Sequence, residues 1–209
     1  HTKKHCLLGS NKLKISLSEY IFNIQNITEL ITSGIIEIFI IYFCNYWTFS
    51  NIIIELLIFI PHSFIFEIVF DFFHYWTHRI LHMRRFYFIH STHHQHTDQL
   101  TVFSTFHHNP IDLLFTNILP VIFSSYILPL TKLQFFIWLY YKTFIEISGH
   151  AGCNCQASSF KQLPNLAKYF NIELYTSEHY IHHTRKIYNY SKRFKLWDQV
   201  FSTYTNKYS

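Results

Sequence analysis

Four long apolar runs constrain the fold of this 209-residue chain more than any other feature of its sequence. They cover about residues 35–50, 52–73, 111–128 and 132–148, and each is close to the ~20 residues that cross a bilayer as a helix. A globule of this size has too little interior to bury four such runs. We therefore expect an all-α fold, an integral membrane bundle of about four transmembrane helices with a cytosolic helical cap.

The distribution of basic residues predicts how this bundle is oriented. Residues 1–33 form a polar lead-in, and residues 34–209 form the membrane-embedded domain. Lys and Arg are concentrated after the second run and after the fourth run, so the positive-inside rule assigns segments 74–110 and 149–209 to the cytosol. The stretch from Pro129 to Lys132 predicts the turn of a helical hairpin between the third and fourth runs.

Composition excludes several classes of protein. Charged residues are 14% of the chain, against about 25% in soluble domains. The net charge of +5 is not gathered in a basic block, which argues against a nucleic-acid partner. We expect the four cysteines to be reduced thiols. Histidine, with 16 copies against 12 acidic residues, points to metal, haem or proton chemistry. The cysteines are Cys6, Cys44, Cys153 and Cys155.

One face of the second run combines carboxylates and imidazoles. Glu67, Asp71, His74, His78 and His82 follow one another at helical spacing, within about 80° around the axis. Ionisable groups at membrane depth are usually functional. Asp71, one turn before His74, is a natural acceptor for an imidazole N–H, and carboxylates of this kind orient metal-binding histidines.

Two copies of the pattern HxxHH lie in the segments assigned to the cytosol. Positions i, i+3 and i+4 share a helix face, so two imidazoles can reach one metal while the third reaches another. We also expect His150, flanked by two glycines, to turn inward as a ligand. His107 or His108, before the third run, is a further candidate, and His96 stays undecided. The candidate metal ligands are His74, His78, His82, His90, His93, His94, His108, His150, His179, His182 and His183.

Three carboxylates are candidates for supporting these imidazoles: Glu67, Asp71 and Glu146. Glu146 also lies one turn after Lys142, an ammonium group inside the fourth run with which it can pair. So many clustered histidines exceed one tetrahedral site and fit two metals. Imidazole suits iron, zinc and copper alike, so ligand type alone does not choose between them. The chain contains no HExxH, P-loop, GxGxxG or GxSxG motif.

These motifs resemble those of the fatty acid hydroxylase/sterol desaturase superfamily over roughly residues 60–205. The matching segments are Asp71-Phe-Phe-His74-Tyr-Trp-Thr-His78-Arg79, His90-Ser-Thr-His93-His94, His150-Ala-Gly, Glu178-His179-Tyr-Ile-His182-His183, Asn189-Tyr190 and Leu196-Trp197-Asp198-Gln199-Val200-Phe201. The chain departs from the family in two places. His107-His108-Asn109-Pro110-Ile111-Asp112 replaces a His-Pro pair followed by an acid, and Ser202 stands where the family has Gly.

The resemblance implies four membrane helices and a cytosolic cap over a di-iron centre. It implies O2-dependent hydroxylation or desaturation of a membrane lipid, with a closing pattern closer to the sterol-type branch. Two electrons would come from NAD(P)H through cytochrome b5 or a similar separate carrier. The expected location is the endoplasmic reticulum, with the histidine boxes facing the cytosol.

Three alternatives stay open from the sequence. A membrane electron-transfer protein would bind haem through isolated histidine pairs deep in facing spans. A metal transporter would carry ligands along its spans and in both halves. An inactive relative would use the bundle as a scaffold for a partner.

Overall fold

The computed structural model describes residues 24–48, 51–96, 105, 107–150 and 159–207, and these residues are helical with two isolated bridges and no strand. The all-α prediction is confirmed for this part of the chain. Residues 1–23 of the lead-in, Cys6, Cys153, Cys155 and the side chain of His96 lie outside the described residues. The helices are α1 (Ile24–Phe43), α2 (Ile52–Leu57), α3 (Phe59–Leu81), α4 (Tyr87–His90), α5 (Pro110–Leu113), α6 (Leu119–Ile127), α7 (Lys132–Gly149), α8 (Pro164–Tyr169), α9 (Thr176–Arg185) and α10 (Leu196–Val200).

One apolar core joins four long helical segments, α1, α3, Pro110–Ile127 and α7. Large aromatic side chains fill it, because rings bury much area and pack edge to face. The Phe66 and Trp138 rings, for example, meet at a centroid distance of 4.8 Å. A second, smaller core packs the C-terminal part of the chain against α3. The first core contains Ile40, Cys44, Phe59, Phe66, Phe70, Val121, Leu130, Phe135 and Trp138, and the second contains Phe64, Phe160, Ala167, Ile172 and Phe194.

The helices match the four predicted spans in number but not in every boundary. The first predicted span reaches residue 50, whereas α1 ends at Phe43. The chain leaves the helix there because Trp47 donates its backbone N–H to the Leu130 carbonyl (3.0 Å), beside the turn before α7. The second predicted span is split at Ile58, between α2 and α3, and α3 continues to Leu81.

Among the described residues, Pro110–Ile127 is the one helical stretch long and apolar enough to be a candidate bilayer span. Gly34–Phe43 is apolar but shorter. Helices α3 and α7 have the length, but α3 carries Glu67 and Asp71 and α7 carries three charged side chains. The arrangement of four transmembrane helices therefore stays a prediction.

The predicted hairpin turn between α6 and α7 is confirmed, and a buried polar network holds it. Thr131 caps α7 by accepting the Gln134 backbone N–H (3.1 Å), and the Gln134 side chain reaches back to the Thr131 backbone N–H. This reciprocal capping box satisfies donors that a helix start leaves free. The Thr131 hydroxyl also donates to the Glu55 carboxylate, and the Gln134 amide donates to the Glu55 carbonyl (2.8 Å).

Asp71 attaches the C-terminal segment to the middle of α3. Its carboxylate accepts three consecutive backbone N–H groups, from Lys192 (2.7 Å), Arg193 (2.9 Å) and Phe194 (3.0 Å). One turn earlier, Glu67 forms a fully buried ion pair with Arg193 (3.1 Å). Both carboxylates therefore join α3 to residues 192–194. Charge-assisted bonds of this kind are roughly twice as strong as neutral ones.

A backbone constraint at Ser202 gives a first prediction. Ser202 is exposed, follows the end of α10 and has φ of 57°, the left-handed region that favours glycine. Ser202→Gly removes the Cβ clash and should raise the free energy of unfolding by about 1 kcal/mol. Thermal unfolding in detergent measures this change. Ser202→Ala keeps the clash and should give no gain, so equal stabilisation by both variants would contradict the explanation.

Candidate metal centre

Five histidine side chains converge on one point at the end of α3. The His78 and His90 Nε2 atoms are 2.9 Å apart, His90 and His94 3.0 Å, His94 and His82 3.2 Å, and His82 and His78 3.3 Å. The His182 ring packs on the His78 ring at a centroid distance of 4.5 Å. One nitrogen from each ring lies within 4.8 Å of the others. We call His78, His82, His90, His94 and His182 the first histidine group.

Hydrogen bonds on the far side of these rings determine what their Nε2 atoms carry. His78 Nδ1 lies 2.7 Å from the Tyr190 carbonyl, and His90 Nδ1 lies 2.8 Å from an Asp112 carboxylate oxygen. Both partners only accept, so each Nδ1 bears a proton and each Nε2 is the nitrogen that faces the other rings. Adjacent ligands at about 2.1 Å from one metal ion are about 3.0 Å apart in octahedral geometry and about 3.4 Å apart in tetrahedral geometry, so the spacings of 2.9 to 3.3 Å fit a metal.

A second group lies beside the first. His179 Nε2 is 3.1 Å from His183 Nε2 and 3.4 Å from His150 Nε2. The His93 ring completes the group, with its centroid 4.8 Å from that of His183 and 5.3 Å from that of His150. One nitrogen from each ring again lies within 4.8 Å of the others. We call His93, His150, His179 and His183 the second histidine group.

Each HxxHH motif contributes to both groups. In the first motif, His90 and His94 belong to the first group and His93 to the second. The second motif lies on α9 and is divided the other way. Its His179 and His183 belong to the second group and its His182 belongs to the first. The i+3 ring crosses over because it lies about 60° around a helix from i, while i+4 lies about 40° away on the other side. The two motifs thus interlock the groups.

Backbone carbonyls orient three further rings. His182 Nδ1 lies 2.7 Å from the Tyr188 carbonyl, and His150 Nδ1 lies 3.0 Å from the Glu146 carbonyl. His74 Nδ1 lies 2.6 Å from the Thr116 carbonyl, within a π-helical turn over Leu114–Ile118. A π turn widens the helix and leaves carbonyls available, and such turns are frequent at functional sites. In each case Nε2 is left as the ligand atom.

The closing motif of the chain holds the Tyr190 carbonyl in place. Asp198 accepts the backbone N–H groups of Tyr190 (2.8 Å) and Ser191 (2.9 Å). Asn189, with φ of 57°, donates its side-chain amide to the Glu178 and Thr205 carbonyls. Through these contacts the closing residues Asn189 and Asp198 support the histidine groups, although neither contacts a ring of either group.

Asp112 supports the site although the sequence did not single it out as a candidate. It is fully buried; one oxygen meets His90 Nδ1 (2.8 Å), and the other lies 3.4 Å from His108 Nδ1. The sequence His-His-Asn-Pro-Ile-Asp before the third run already contained this acid close to two histidines. It could not show that Asp112 pairs with His90, because that contact arises only when α4 packs near α5.

Two predicted ligands lie at the edge of the groups. His74 and His108 belong to neither group, but both line a cavity between them together with His78, His90, His93 and His150. The His108 ring stacks on the His93 ring at 4.5 Å. His107 is buried and lies 3.5 Å from Gln95, so of the two neighbours it is His108 that faces the cavity.

The three carboxylates expected to support imidazoles have other partners in the structure. Asp71 and Glu67 bind residues 192–194, because α3 presents these carboxylates to the C-terminal segment and not to a ring. The expected Lys142–Glu146 pair is confirmed at 3.0 Å. Glu146 meets His150 through its backbone carbonyl, and its carboxylate binds ammonium groups.

Burial lowers the pKa of six histidines of the two groups that lie outside the long helices. The pKa of His150 falls to about 4 and that of His94 to about 2. Burial also lowers the pKa well below the ordinary value for the other four, with neighbouring imidazoles adding in the same direction. All six rings are therefore neutral at pH 7 and can bind a metal. The other four are His93, His179, His182 and His183.

The family profile described as Fatty acid hydroxylase matches residues 63–203, which include both histidine groups and the closing motif. The chain belongs to the fatty acid hydroxylase family. The superfamily expected from the histidine boxes is therefore confirmed. No solved structure matches the chain.

Curated relatives of this fatty acid hydroxylase family member are lipid oxidases by name. The C-4 methylsterol oxidase erg25 of Schizosaccharomyces pombe is 29% identical over 141 residues, 65% of this chain and 44% of the relative. The fatty acid hydroxylase vlmA of a Lecanicillium species is 26% identical over 147 residues, 66% and 40%. Methylsterol monooxygenase 2-1 of Arabidopsis thaliana is 27% identical over 145 residues, 65% and 53%. The chain thus spans about half the length of the relatives that it matches.

The neutral histidines of this family member predict an acid-sensitive metal-free protein. In the unfolded chain a histidine has a pKa of about 6.5, and in the folded protein the pKa of His150 is about 4. As the pH falls, the unfolded chain therefore binds protons before the folded protein does. The free energy of unfolding is at its full value above pH 6.5 and decreases as the pH falls towards 4. Thermal unfolding of metal-free protein at pH 7.5, 6.0 and 5.0 measures the loss. His150→Gln should make the slope shallower by about 1.4 kcal/mol per pH unit. If the unfolding temperature did not change between pH 7.5 and 5.0, the conclusion that these rings are buried and neutral would be wrong.

The contact between Asp112 and His90 predicts a loss of metal affinity in Asp112→Asn. The amide keeps the shape of the carboxylate but loses the charge that holds the His90 Nδ1 proton, so the affinity of the first group should fall about 10- to 100-fold. Competition with a chromogenic chelator for Co²⁺ measures it. Glu173→Gln, which changes a carboxylate bound to the Tyr175 hydroxyl (2.6 Å), should bind Co²⁺ like the parent. Equal affinity of Asp112→Asn and the parent would remove Asp112 from the site.

Proposed function

We propose that this chain is an O2-dependent di-iron oxidase that hydroxylates or desaturates a membrane lipid, with a sterol-type lipid as the substrate. The observation that carries the proposal is the convergence of nine histidines, seven of them buried and two partly buried, in two adjacent groups with one nitrogen of each ring within 4.8 Å of the others in its group. Membership of the fatty acid hydroxylase family supports the reaction class. The names of two relatives, a methylsterol oxidase and a methylsterol monooxygenase, support the sterol.

Each histidine group holds one iron in this proposal. His74 and His108, at the cavity between the groups, are additional ligand candidates. The two irons would supply the activation of O2 and the oxidation of a C–H bond. Carbonyls hold the Nδ1 atoms of His78, His150 and His182, and Asp112 holds that of His90, so these four rings are oriented before a metal arrives.

Iron is preferred over zinc on chemical grounds. Imidazole does not discriminate between the two metals, but zinc has no redox chemistry, whereas the relatives are named as oxidases and monooxygenases. The rings are neutral, and Asp112 is the carboxylate that contacts them among the described residues, so the centre keeps most of the positive charge of its metals.

The outer surface of the bundle suits a lipid environment. Large apolar side chains are exposed on α1, α2 and α6, among them Tyr42 at 81%, Leu57 at 74% and Tyr126 at 65%. Large apolar side chains exposed in such number favour contact with a membrane or a partner. We propose that the substrate enters from the bilayer. The electrons come from NAD(P)H through cytochrome b5 or a similar carrier, at the cytosolic face of the endoplasmic reticulum.

The alternatives predict different histidine arrangements. A haem site needs two histidines on opposite sides of one porphyrin, whereas the Nε2 atoms that form each group here are as close as 2.9 to 3.4 Å. A transport pathway needs ligands along the spans. A scaffold without chemistry gives no reason for these ring nitrogens to converge inside a protein.

Iron content is the first test of this proposal. The chain, purified in detergent under anaerobic, reducing conditions and supplied with Fe²⁺, should bind about two irons and no haem. His182→Ala and His179→Ala each remove a ring from one group and should each lower the iron content towards one. His62→Ala is the matched control, because His62 binds the Gln134 side chain (3.0 Å), away from both groups, and should keep two.

Turnover then tests the reaction. Two-iron protein with O2, a cytochrome b5 donor and methylsterols in lipid vesicles should form oxidised sterol. The rate of this reaction should fall at least 100-fold in His182→Ala and in His179→Ala. Stoichiometric haem, or iron binding that is equal in all four proteins, would refute the proposal.

A further inference from the structure

The apolar stretch Pro110–Ile127 contains five buried polar side chains, and four of them have partners within the protein. The hydroxyl groups of Thr116 (2.8 Å), Ser124 (2.7 Å) and Ser125 (2.7 Å) each donate to a backbone carbonyl of the preceding turn. The carboxylate of this stretch contacts two imidazoles. The fifth side chain is that of Asn117, whose Oδ1 atom is buried and has no hydrogen bond. Within this stretch, Asn117 is therefore the buried polar side chain that still has an acceptor to offer.

Asn117 lies at the wall of the cavity between the histidine groups. It is 4% exposed and lines this cavity together with Leu113 and Thr116. The three residues have the spacing i, i+3 and i+4, which places them on one face of the helix. The Thr116 carbonyl also meets His74 Nδ1 (2.6 Å), so this face borders the metal-binding rings directly. A ligand in the cavity can therefore reach the Asn117 amide.

A buried amide oxygen without a partner indicates a ligand that donates a hydrogen bond. Nearly all buried polar atoms in proteins are satisfied, and leaving one unpaired is costly. The amide oxygen only accepts, so a carboxylate, an ester or a hydrocarbon cannot satisfy it, whereas a hydroxyl group can. A hydroxyl group also accepts, which suits the N–H donors of the same amide. The cavity wall therefore favours a lipid alcohol over a lipid acid or ester.

A second polar atom without a partner lines the same cavity. Thr105 Oγ1 is buried and has no hydrogen bond, and the residue is 4% exposed. A threonine hydroxyl can rotate and either donate or accept. Together with Asn117 it gives the cavity one acceptor and one donor, which are the two partners that a single ligand hydroxyl group needs.

We propose that Asn117 determines specificity for the lipid by accepting a hydrogen bond from a hydroxyl group of that lipid. The inference rests on the proposed lipid oxidation, because it assigns the residue that recognises the polar end of the lipid. In the proposed sterol, the ring that carries the hydroxyl group then lies at the cavity between the histidine groups, and the far end of the hydrocarbon points away from it. Asn117 thus determines which end of the lipid faces the metal centre.

Equilibrium binding to the metal-free protein tests this proposal without any turnover. Radiolabelled lanostanol and lanostane, a methylated sterol and its deoxy analogue, are titrated against the parent and Asn117→Leu in one detergent. Partition into detergent affects the ratio of the two affinities equally in each protein and cancels. The alcohol-to-hydrocarbon affinity ratio should be about 10- to 100-fold lower in Asn117→Leu than in the parent, the range expected when a buried group loses its hydrogen-bond partner.

Matched variants separate recognition of the hydroxyl group from a structural role. Asn117→Asp keeps an acceptor oxygen in a side chain of the same shape and should keep the preference for the alcohol. Ser124→Ala removes a hydroxyl group that bonds to its own helix in the same stretch, and should give the ratio of the parent. Lanostane binding by Asn117→Leu shows that its cavity is intact. If that variant binds neither ligand, Asn117→Ala replaces it.

The outcomes also distinguish this inference from the proposed function. An affinity ratio that is unchanged in Asn117→Leu, or that falls equally in Ser124→Ala, overturns the hydroxyl site whatever the iron content. A ratio that depends on Asn117, in a protein that binds iron but oxidises no lipid, supports the hydroxyl site and refutes the oxidation. Oxidation of methylsterols by a protein whose ratio does not depend on Asn117 keeps the proposed function and refutes the role of Asn117.

Discussion

The convergence of nine histidines in two adjacent groups is the constraint on which the rest of this structure depends. Rings whose Nδ1 donates to a carbonyl or to Asp112 direct Nε2 towards their neighbours. The Nε2 atoms of His78 and His90 come within 2.9 Å of each other, and a rigid surrounding keeps the rings at this distance. The protein supplies that surrounding from parts of the chain far apart in sequence.

Carboxylates that do not contact the histidine ligand atoms supply much of this rigidity. Asp71 holds the backbone of residues 192–194, and Asp198 holds Tyr190 and Ser191. The Tyr190 carbonyl can then face His78, and the Lys192 side chain can reach Glu146. Acidic residues near a histidine box thus serve the centre through the backbone that they hold, a role that is more indirect than contact with a ring.

The position of the groups at the end of the apolar bundle connects structure with the proposed chemistry. The core of α1, α3, α6 and α7 is built from aromatic side chains, and the polar centre begins where α3 passes beyond it. A lipid whose hydrocarbon lies along the bundle can bring one carbon to the histidine groups.

The sequence by itself determined the elements and the chemistry of the residues. Apolar runs set the long helices, Thr131 and Gln134 set the start of α7, and HxxHH motifs set which rings share a face, because these depend on spacing within a few residues. Only the tertiary structure decided which rings meet, that Asp71 binds backbone and not a ring, and that Asp112 meets His90. The first predicted span also runs seven residues past the end of α1 at Phe43, since Trp47 leaves the helix to contact Leu130. Contacts between residues tens of positions apart depend on how helices pack, and no local pattern in the sequence encodes that packing.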